Sequence, residues 1–348
     1  MFPAQALAEA MLARGWEVVL MTDARGARYA GGFPDGVAVT RLPAASPGRG
    51  GAAARLGAPV MLSAGIVAAL ARMLVRRPAA VAGFGGYPAL PALAAAWALR
   101  VPRLIHEQNG VLGRVNRAFA RRVGLVACGT WPTDVPAGAD AAHTGNPVRA
   151  AIRARAGAAY GPPAPEGALS LLILGGSQGA RILSQVVPAA LAELPAGLRA
   201  RLRVGHQARP EDVTAVEAAM ADAGVAADIA PFFADVPDRL AHAQLVIARA
   251  GASTLAEIAA VGRPSILIPY AAATGDHQAA NAAALVTAGG AVMIREGDLS
   301  PGRLAGEIRA VLDDPARAGA MAAAARGHGR PDAAADLADR VEALTGRL

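Results

Sequence analysis

The chain contains no lysine, one cysteine and few aromatic residues, and each of these scarcities excludes a class of protein. All 34 basic residues among its 348 residues are arginine, and the formal net charge is +7. The single cysteine, Cys128, excludes an intrachain disulfide and fits a reducing cytoplasm. Aromatic residues make up 4% of the chain, which argues against a stacking platform for nucleic acid. No cysteine and histidine cluster has metal-ligand spacing, so we expect neither a metal nor a cofactor.

The residues that are present describe a soluble protein with a large core. Hydrophobic residues make up 54% and charged residues 18% of the chain, a composition that excludes a disordered protein. A length of 348 residues favours two domains, because single cores stop growing near about 250–300 residues. The arginine excess favours anionic partners such as nucleotides or phospholipid headgroups.

Short apolar runs alternate with helical patterns through both halves of the chain. Strands are predicted at 17–21, 37–41, 80–84, 103–106 and 124–128, and then at 169–174, 201–204, 227–230, 245–248, 265–269 and 291–294. Strands separated by helices indicate βαβ units and parallel sheets. The predicted fold is therefore α/β, with two Rossmann-like domains that bind ligands at the carboxyl ends of their strands and in the cleft between them.

A glycine turn follows the apolar run at 171–174. The sequence LLILGGSQGA at 171–180 predicts a strand, a tight turn and a helix N-terminus, where free amides and the helix dipole favour phosphate. Gly179 would let the backbone approach the anion, and the Ser177 hydroxyl could donate to it. The structural alternative is a turn that uses glycine only for its geometry.

A second polar turn, RAGASTLAE at 249–257, follows the run at 245–248. Amides at the helix start could hold phosphate, and the Glu257 carboxylate could accept from both ribose hydroxyls. The alternative is a capping box, in which Ser253 or Thr254 caps the helix and Glu257 satisfies backbone donors. The presence of two such turns in one half of the chain favours a nucleotide site.

Three further groups are candidates for binding or chemistry. Asp276, Gln278 and their neighbours suit sugar hydroxyls, or form a solvated helix start. The cluster His106-Glu107-Gln108-Asn109 ends a strand, where substrates bind, and His106 could act as a general base. Arg149 could reach a phosphate or a uracil ring, or be a surface arginine.

An apolar segment runs from Pro59 to Val75 and ends at Arg76 and Arg77. We expect it to be too short to span a membrane, which needs about 20 residues. A hydrophobic helix edged by arginines could lie in a membrane interface, and the alternative is a buried core helix.

Several motifs together resemble the MurG family of glycosyltransferases, which adds N-acetylglucosamine to the lipid-linked muramyl-pentapeptide of peptidoglycan synthesis. They are GFGGYP at 83–88, HEQN at 106–109, GNPVR at 145–149, GGSQGAR at 175–181, PFFADV at 231–236, RAGASTLAE at 249–257 and DHQAANA at 276–282. The resemblance covers nearly the whole chain. It implies a GT-B fold with an acceptor and membrane-associating domain at 1–148, a UDP-sugar donor domain at 149–325, and a last helix at 326–348 that packs back on the first domain.

The resemblance also implies roles for individual residues. The donor contacts carried over by motif, together with their neighbours in the same turns, are Asn109, Arg149, Ser177, Gln178, Gly179, Phe233, Arg249, Ala252, Ser253, Thr254, Leu255, Ala256, Glu257 and Gln278. Phe233 would lie by the uracil through its backbone, Glu257 would hold the ribose, and Gln278 would hold the sugar. His106 and Glu107 are the catalytic candidates and line the acceptor side with Tyr87 and Asn116.

The reaction implied is inverting transfer from UDP-N-acetylglucosamine to undecaprenyl-diphosphate-linked muramyl-pentapeptide. The muramyl 4-hydroxyl attacks the anomeric carbon and UDP leaves, without a metal if helix amides stabilise the diphosphate. The segment from Pro59 to Arg77 then matches a membrane-docking patch. We expect a peripheral enzyme on the cytoplasmic face of the bacterial inner membrane, bound to an anionic membrane surface.

One departure from the family pattern lies at the start of the chain. The family has a strand and a GGTGGH loop ahead of the helix that begins here at Phe2, and the loop histidine is a candidate general base. We therefore expect the sequence as written to lack the first strand of its N-terminal sheet and to transfer poorly, either through a misassigned start codon or a true truncation. Two alternative functions remain open, a UDP-sugar epimerase of GT-B-like fold and a non-catalytic UDP-sugar-binding protein.

Overall fold

The computed structural model describes residues 1–44, 52–176 and 179–346, without the side chains of 52–56. The chain divides into two compact units. Unit 1 consists of Met1–Arg149 and Asp332–Leu348, and unit 2 consists of Ala150–Pro331.

Unit 1 is built from parallel strands and the helices that connect them. Its elements before the junction are α1 (Phe2–Ala13), β1 (Val19–Thr22), β2 (Ala38–Arg41), α2 (Ala52–Val75), β3 (Val81–Gly83), α3 (Leu90–Ala98), β4 (Arg103–Glu107), α4 (Arg114–Phe119), β5 (Leu125–Cys128) and β6 (Ala141–His143). Within the described residues, its strands form two parallel sheets, β1-β2 and β3-β4-β5-β6. The strands β4 and β5 are buried on both faces, as parallel strands covered by helices are.

Unit 2 is a single doubly wound sheet. Its elements are α5 (Ala150–Arg153), β7 (Leu169–Leu174), α6 (Arg181–Ala192), α7 (Ala196–Arg201), β8 (Leu202–Gln207), α8 (Val213–Asp222), β9 (Ala226–Ala230), α9 (Val236–His242), β10 (Leu245–Ala248), α10 (Ala252–Val261), β11 (Ser265–Leu267), α11 (His277–Thr287), β12 (Ala291–Met293), α12 (Pro301–Leu312) and α13 (Pro315–His328). The six strands are parallel in the order β12-β11-β10-β7-β8-β9. The order reverses at β7 and β10, which is where such sheets bind ligands.

The last helix, α14 (Ala333–Leu344), packs on α1 within unit 1. Its Leu337 and Val341 share a buried cluster with Leu104 of β4. The Glu342 carboxylate accepts hydrogen bonds from Arg14 (2.6 Å) and from the indole of Trp16 (2.9 Å). The two ends of the chain are thereby joined around one core.

The predicted α/β class with two parallel-sheet domains is confirmed. The prediction for the segment from Pro59 was wrong in length, because α2 begins at Ala52 and has Pro59 inside it. Within α2, Gly57–Val75 has a mean hydropathy of 1.9 and is 22% buried, so by length and composition it could cross a membrane. However, its Ala69 and Met73 are buried in a core cluster with residues of α3, so one face of the helix belongs to unit 1.

Candidate functional site

Among the described residues, the predicted donor contacts Gly179, Arg249 and 252–257 follow β7 and β10, which are neighbouring strands. Leu174 at the end of β7 pairs with Ala248 at the end of β10. The main-chain amide of Arg249 donates to the Leu174 carbonyl (3.2 Å). Two turns, each leading to a helix, therefore leave the sheet side by side.

The turn after β7 requires glycine. A Cβ on Gly175 would lie 2.7 Å from the main-chain nitrogen of Ala180, and one on Gly179 would lie 2.4 Å from Cγ of Arg209. Gly176 and Gly179 also have φ values of +78° and +67°, which residues with side chains rarely adopt. The close contacts and positive φ values thus explain why these positions are glycine. The absence of side chains also leaves the backbone of the turn uncovered at these positions.

The helix α6 begins at Arg181, directly after this turn. The amides of Leu183 and Ser184 donate to the Ala180 carbonyl, and the first two amides, of Arg181 and Ile182, have no carbonyl within the helix to bond, as an anion site requires. Two predicted donor contacts of this turn, Ser177 and Gln178, lie outside the described residues.

The second turn places α10 with its N-terminus at the same edge. The N-cap is Gly251, with no side chain to cap the helix, so the prediction that Ser253 or Thr254 caps it is wrong. A capping box pairs the N-cap with the third helical residue, whereas Glu257 is the sixth residue of α10. Glu257 therefore lies one turn beyond the position that such a box needs.

The remaining residues of this helix start divide by burial. Ala252, Ser253, Thr254, Ala256 and Glu257 are partly exposed, and Leu255 is buried. Leu255 can therefore reach a ligand only through its backbone.

Phe233 is also available only through its backbone, because its side chain is buried. The guanidinium carbon of Arg239 lies 3.9 Å from the centre of its ring, a cation–π contact. Arg239 is held in turn by Asp235 (2.8 Å) and Asp228 (2.5 Å). This arrangement fits the predicted backbone contact of Phe233 with a base.

Arg249 is committed to the protein. Its guanidinium is nearly buried, donates to the carbonyls of Ile268 (3.1 Å) and Pro269 (3.3 Å), and forms an ion pair with Glu296. It also lies 5.3 Å from the centre of the Tyr270 ring. The guanidinium of Arg249 is therefore not available for the direct contact with the UDP-sugar that was expected of it. It holds the chain that follows β11.

The loop after β11 closes through Gln278. Its Oε1 accepts from the main-chain amide of Tyr270 (2.9 Å), which joins the start of the loop to the start of α11. Asp276 occupies the N-cap of α11, but its carboxylate pairs with Arg295 (3.0 Å) and does not cap the helix. Asn281 is buried and donates to the Ala250 carbonyl (3.1 Å). The predicted polar residues of this segment thus have defined places in the structure.

In unit 1, the predicted residues surround a buried carboxylate at the end of β4. Glu107 accepts through Oε1 from the main-chain and side-chain nitrogens of Asn109 (both 3.1 Å). Its Oε2 accepts from the amide of Gly113 (2.8 Å) and from Nδ2 of Asn116 (2.9 Å). Glu107 therefore organises the loop that contains Asn109 and the start of α4.

His106 is fully buried beside this loop. Its Nε2 lies 3.1 Å from the Gly145 carbonyl and its Nδ1 lies 3.4 Å from Nε2 of Gln108. Since a carbonyl only accepts, Nε2 carries the proton and Nδ1 accepts from Gln108. Burial lowers the pKa of His106 to about 4, against the smaller opposing effects of the Gly145 carbonyl and Glu107. Both ring nitrogens of a neutral imidazole are thus engaged, so its assignment as a general base stays a prediction that this geometry does not favour.

Two other predicted residues lie near this edge of unit 1. Tyr87 is half-buried in a single 3₁₀ turn after β3, behind Gly85 and Gly86, whose φ values are +76° and +71°. Arg149, the last residue before the junction, is half-buried.

Sequence reasoning missed three residues that shape these sites. They are Asn146, Arg239 and Glu296. Asn146 lies in the GNPVR motif, is buried, and donates to the Gln108 carbonyl (2.9 Å). Arg239 and Glu296 stand in no motif, and only their contacts with Phe233 and Arg249 reveal them.

Comparison with known proteins covers both units. The glycosyltransferase family 28 N-terminal domain matches residues 1–128, and the C-terminal domain of the same family matches residues 170–337. The chain is 48% identical over 345 residues to the UDP-N-acetylglucosamine–N-acetylmuramyl-(pentapeptide) pyrophosphoryl-undecaprenol N-acetylglucosamine transferase of Chelativorans sp. (strain BNC1), covering 99% of this chain and 92% of that protein. It is 50% identical over 343 residues to the protein of the same name from Methylobacterium nodulans, covering 97% and 92%.

Solved structures agree with this assignment. The crystal structure of Acinetobacter baumannii MurG aligns with a TM-score of 0.81 and 29% identity, covering 98% of this chain and 95% of that one. A putative UDP-N-acetylglucosamine 2-epimerase from Listeria monocytogenes aligns with a TM-score of 0.66 at 16% identity, covering 100% and 95%, and shares the fold alone. The predicted resemblance and GT-B fold are confirmed, and the chain belongs to the MurG family of glycosyltransferases.

Proposed function

We propose that the chain transfers N-acetylglucosamine from UDP-N-acetylglucosamine to the 4-hydroxyl of a lipid-linked N-acetylmuramyl-pentapeptide, in peptidoglycan synthesis. The observation that carries the proposal is the paired turns after β7 and β10. They present the N-termini of α6 and α10 side by side at one edge of the sheet. Two helix N-termini at one edge of the sheet suit a diphosphate.

The surrounding residues supply the rest of a UDP-sugar site. Glu257, one turn inside α10, holds the ribose diol, and the backbone of Phe233 faces the uracil. Gln278 uses its carbonyl oxygen on Tyr270 and keeps its side-chain NH2 to donate to a sugar hydroxyl. The donor contacts expected of Asn109 and Arg149, which belong to unit 1, stay predictions.

The reaction is an inverting displacement at the anomeric carbon. The muramyl 4-hydroxyl attacks that carbon and loses its proton to a base or to water, the glycosidic bond to UDP breaks, and the electron pair leaves on the diphosphate. Helix amides stabilise the charge that develops there. In this scheme His106 and Glu107 position the loop around Asn109, and Tyr87 and Asn116 lie on the acceptor side.

A lipid-linked acceptor requires the enzyme to meet a membrane, and we assign this contact to α2. Its residues Val60, Val67, Leu74 and Val75, here called the α2 patch, have exposed fractions of 71%, 65%, 69% and 89%. Arg76 and Arg77 follow directly and are exposed. An apolar face edged by arginines suits an interface with anionic lipid, as expected for a peripheral protein on the cytoplasmic face of the inner membrane.

The test is transfer of labelled N-acetylglucosamine to a lipid-linked muramyl-pentapeptide in detergent micelles. We expect a disaccharide-linked lipid and UDP in equal amounts, and no product with the acceptor omitted. Conversion of UDP-N-acetylglucosamine to an epimer without the acceptor would establish the epimerase alternative. Binding of UDP-N-acetylglucosamine with no transfer would favour the non-catalytic alternative.

A further inference from the structure

Two consecutive residues after β12, Arg295 and Glu296, form ion pairs at the two ends of the loop at 268–278. Glu296 forms an ion pair with Arg249, which holds the start of the loop. Arg295 pairs with Asp276 at the end of the loop (3.0 Å). We propose that Arg295 and Glu296 are positioning residues that fix this loop for the sugar of the donor, an inference that rests on the proposed function.

The first contact is largely shielded from water. The side chains of Arg249 and Glu296 are 10% and 22% exposed. Arg249 donates to the two carbonyls that follow β11, those of Ile268 and Pro269, and its guanidinium faces the Tyr270 ring. A nearly buried arginine needs a counter-ion, and its removal leaves an uncompensated charge. Glu296 is the only acidic group in contact with the Arg249 guanidinium within the described residues, so it keeps this side chain on the loop.

The second contact lies at a turn with a left-handed backbone conformation. Asp276 has a φ of +52°, in a region that few residues with a side chain adopt, although aspartate does so more often than most. Its carboxylate reaches Arg295 and makes no cap for α11. The ion pair therefore stabilises the turn that leads directly into Gln278.

Between these two contacts the loop is closed by its own hydrogen bond. Oε1 of Gln278 accepts from the amide of Tyr270, so the orientation of the Gln278 NH2 group depends on where Tyr270 lies. Tyr270 in turn lies against Arg249. Glu296 is thereby connected to Gln278, the residue predicted to bind the sugar, through three successive contacts. Glu296 contacts Arg249, Arg249 contacts Tyr270, and Tyr270 donates to Gln278.

Arg295 and Glu296, here called the clamp, follow a strand that is paired with the strand before the loop. The strand β12 pairs with β11 along its whole length, with Leu267 opposite Met293. Both the loop and the Arg295-Glu296 pair thus leave adjacent strands at the same edge of the sheet. Precise placement of a ligand group by residues that do not touch the ligand is what this arrangement provides.

The test separates the sugar from the nucleotide. Dissociation constants for UDP-N-acetylglucosamine and for UDP are measured by calorimetry on the full chain and on Glu296→Ala, Glu296→Gln and Arg295→Ala. A displaced loop should weaken binding of the sugar nucleotide by roughly tenfold to a hundredfold in Glu296→Ala, with UDP affinity unchanged. Glu296→Gln, which keeps one acceptor oxygen, should restore part of the loss, and Arg295→Ala should show a smaller loss.

The matched control is Asp313→Ala, which breaks the exposed ion pair with Arg309 (3.3 Å) on α12 of the same unit and should change neither constant. Equal losses for UDP and for the sugar nucleotide would overturn the proposal, as would unchanged constants in both Glu296→Ala and Arg295→Ala. Arg295→Ala breaks an exposed pair, so it tests the clamp even if Glu296→Ala unfolds. If the unmodified chain bound neither UDP-N-acetylglucosamine nor UDP, the proposed function itself would be wrong. The unmodified chain alone gives this result, so it is distinguished from a failure of the positioning proposal.

Discussion

Oε2 of Glu107 lies 2.9 Å from the side-chain nitrogen of Asn116, which stands nine residues farther along the chain. The same carboxylate also accepts from the amide of Gly113 and from both nitrogens of Asn109. One buried acid therefore fixes the conformation of the whole segment between β4 and α4. The placement of Asn109, a predicted donor contact, depends on it.

Glu107→Gln should reduce both stability and transfer. The new NH2 group would face N–H donors in place of an acceptor oxygen, at a cost of about 1–3 kcal/mol for each buried group left unsatisfied. We expect urea denaturation to show a loss in this range, and we expect transfer activity to fall further than stability at 25 °C explains, because Asn109 is displaced.

The control for Glu107→Gln is Asp134→Asn, the same change of acid to amide at a side chain of unit 1 that is 83% exposed. It should alter neither quantity. Full activity and unchanged stability in Glu107→Gln would show that the loop does not depend on the carboxylate.

The sequence predicted the bounds of β7 and β10 correctly because their composition is local information, whereas β8 was predicted to end at 204 and ends at Gln207. The runs at β7 and β10 are apolar and stop at a glycine or a polar residue, so the predicted bounds match those observed. By contrast β6, with the sequence Ala-Ala-His, is three partly buried residues long and carries no pattern that distinguishes it from a loop.

The side-chain environments could not be predicted, because they depend on residues far along the chain. His106 lies near the carboxyl end of β4, where a ligand-binding residue is expected, yet its ring contacts the carbonyl of Gly145, which lies 39 residues away. Arg249 likewise ends a strand at the predicted site edge, but Glu296 and the carbonyls after β11 turn it into the protein. Motif position predicted the edge of the sheet at which these residues lie, and only packing decides which of their atoms face outward.

Glu257→Ala should weaken binding of UDP and remove discrimination at the ribose. If Glu257 accepts from the ribose hydroxyls, the unmodified chain should bind UDP about tenfold or more tightly than 2′-deoxy-UDP, since hydrogen bonds to a charged group contribute about 1.5–3 kcal/mol. In Glu257→Ala the two ligands should bind equally. Calorimetric titration with both nucleotides measures this difference.

Glu217→Ala is the control for Glu257→Ala, because Glu217 is an exposed acid on α8 of the same unit. It should keep the preference for UDP. A Glu257→Ala variant that still prefers UDP over its 2′-deoxy form would assign the ribose to another residue.

Acidic substitutions in the α2 patch should release the protein from anionic vesicles. Each buried leucine or valine contributes about 1.5–3 kcal/mol to such binding, so Leu74→Asp with Val75→Asp should weaken it by at least roughly tenfold. Co-sedimentation with phosphatidylglycerol vesicles measures the effect, and transfer to a short-chain, water-soluble acceptor should be unaffected.

Tyr29→Asp is the control for the α2 patch, because Tyr29 is an isolated exposed side chain of unit 1 (69%) outside α2. Vesicle binding by this variant should match that of the unmodified chain. If the α2 variants sedimented normally, the membrane contact would have to lie elsewhere.

His206 should make stability fall at mildly acidic pH. This side chain lies on β8, is fully buried, and neither ring nitrogen has a hydrogen-bond partner within the described residues. Burial lowers the pKa of His206 to about 4. Between pH 6.5 and 4, His206 is therefore protonated in the unfolded state but not in the folded state. The free energy of unfolding decreases as pH falls, and this residue contributes up to ~3 kcal/mol to the decrease.

His206→Leu removes the titrating imidazole together with its two unpaired nitrogens. The variant should match or exceed the unmodified chain in stability at pH 7, and its decline between pH 6.5 and 4 should be shallower, with His106 still contributing because its pKa is lowered in the same way. Urea denaturation at intervals across this range measures both slopes. The exposed His242→Leu serves as control and should keep the steeper decline, and equal slopes in His206→Leu and the unmodified chain would show that His206 is not the group that titrates.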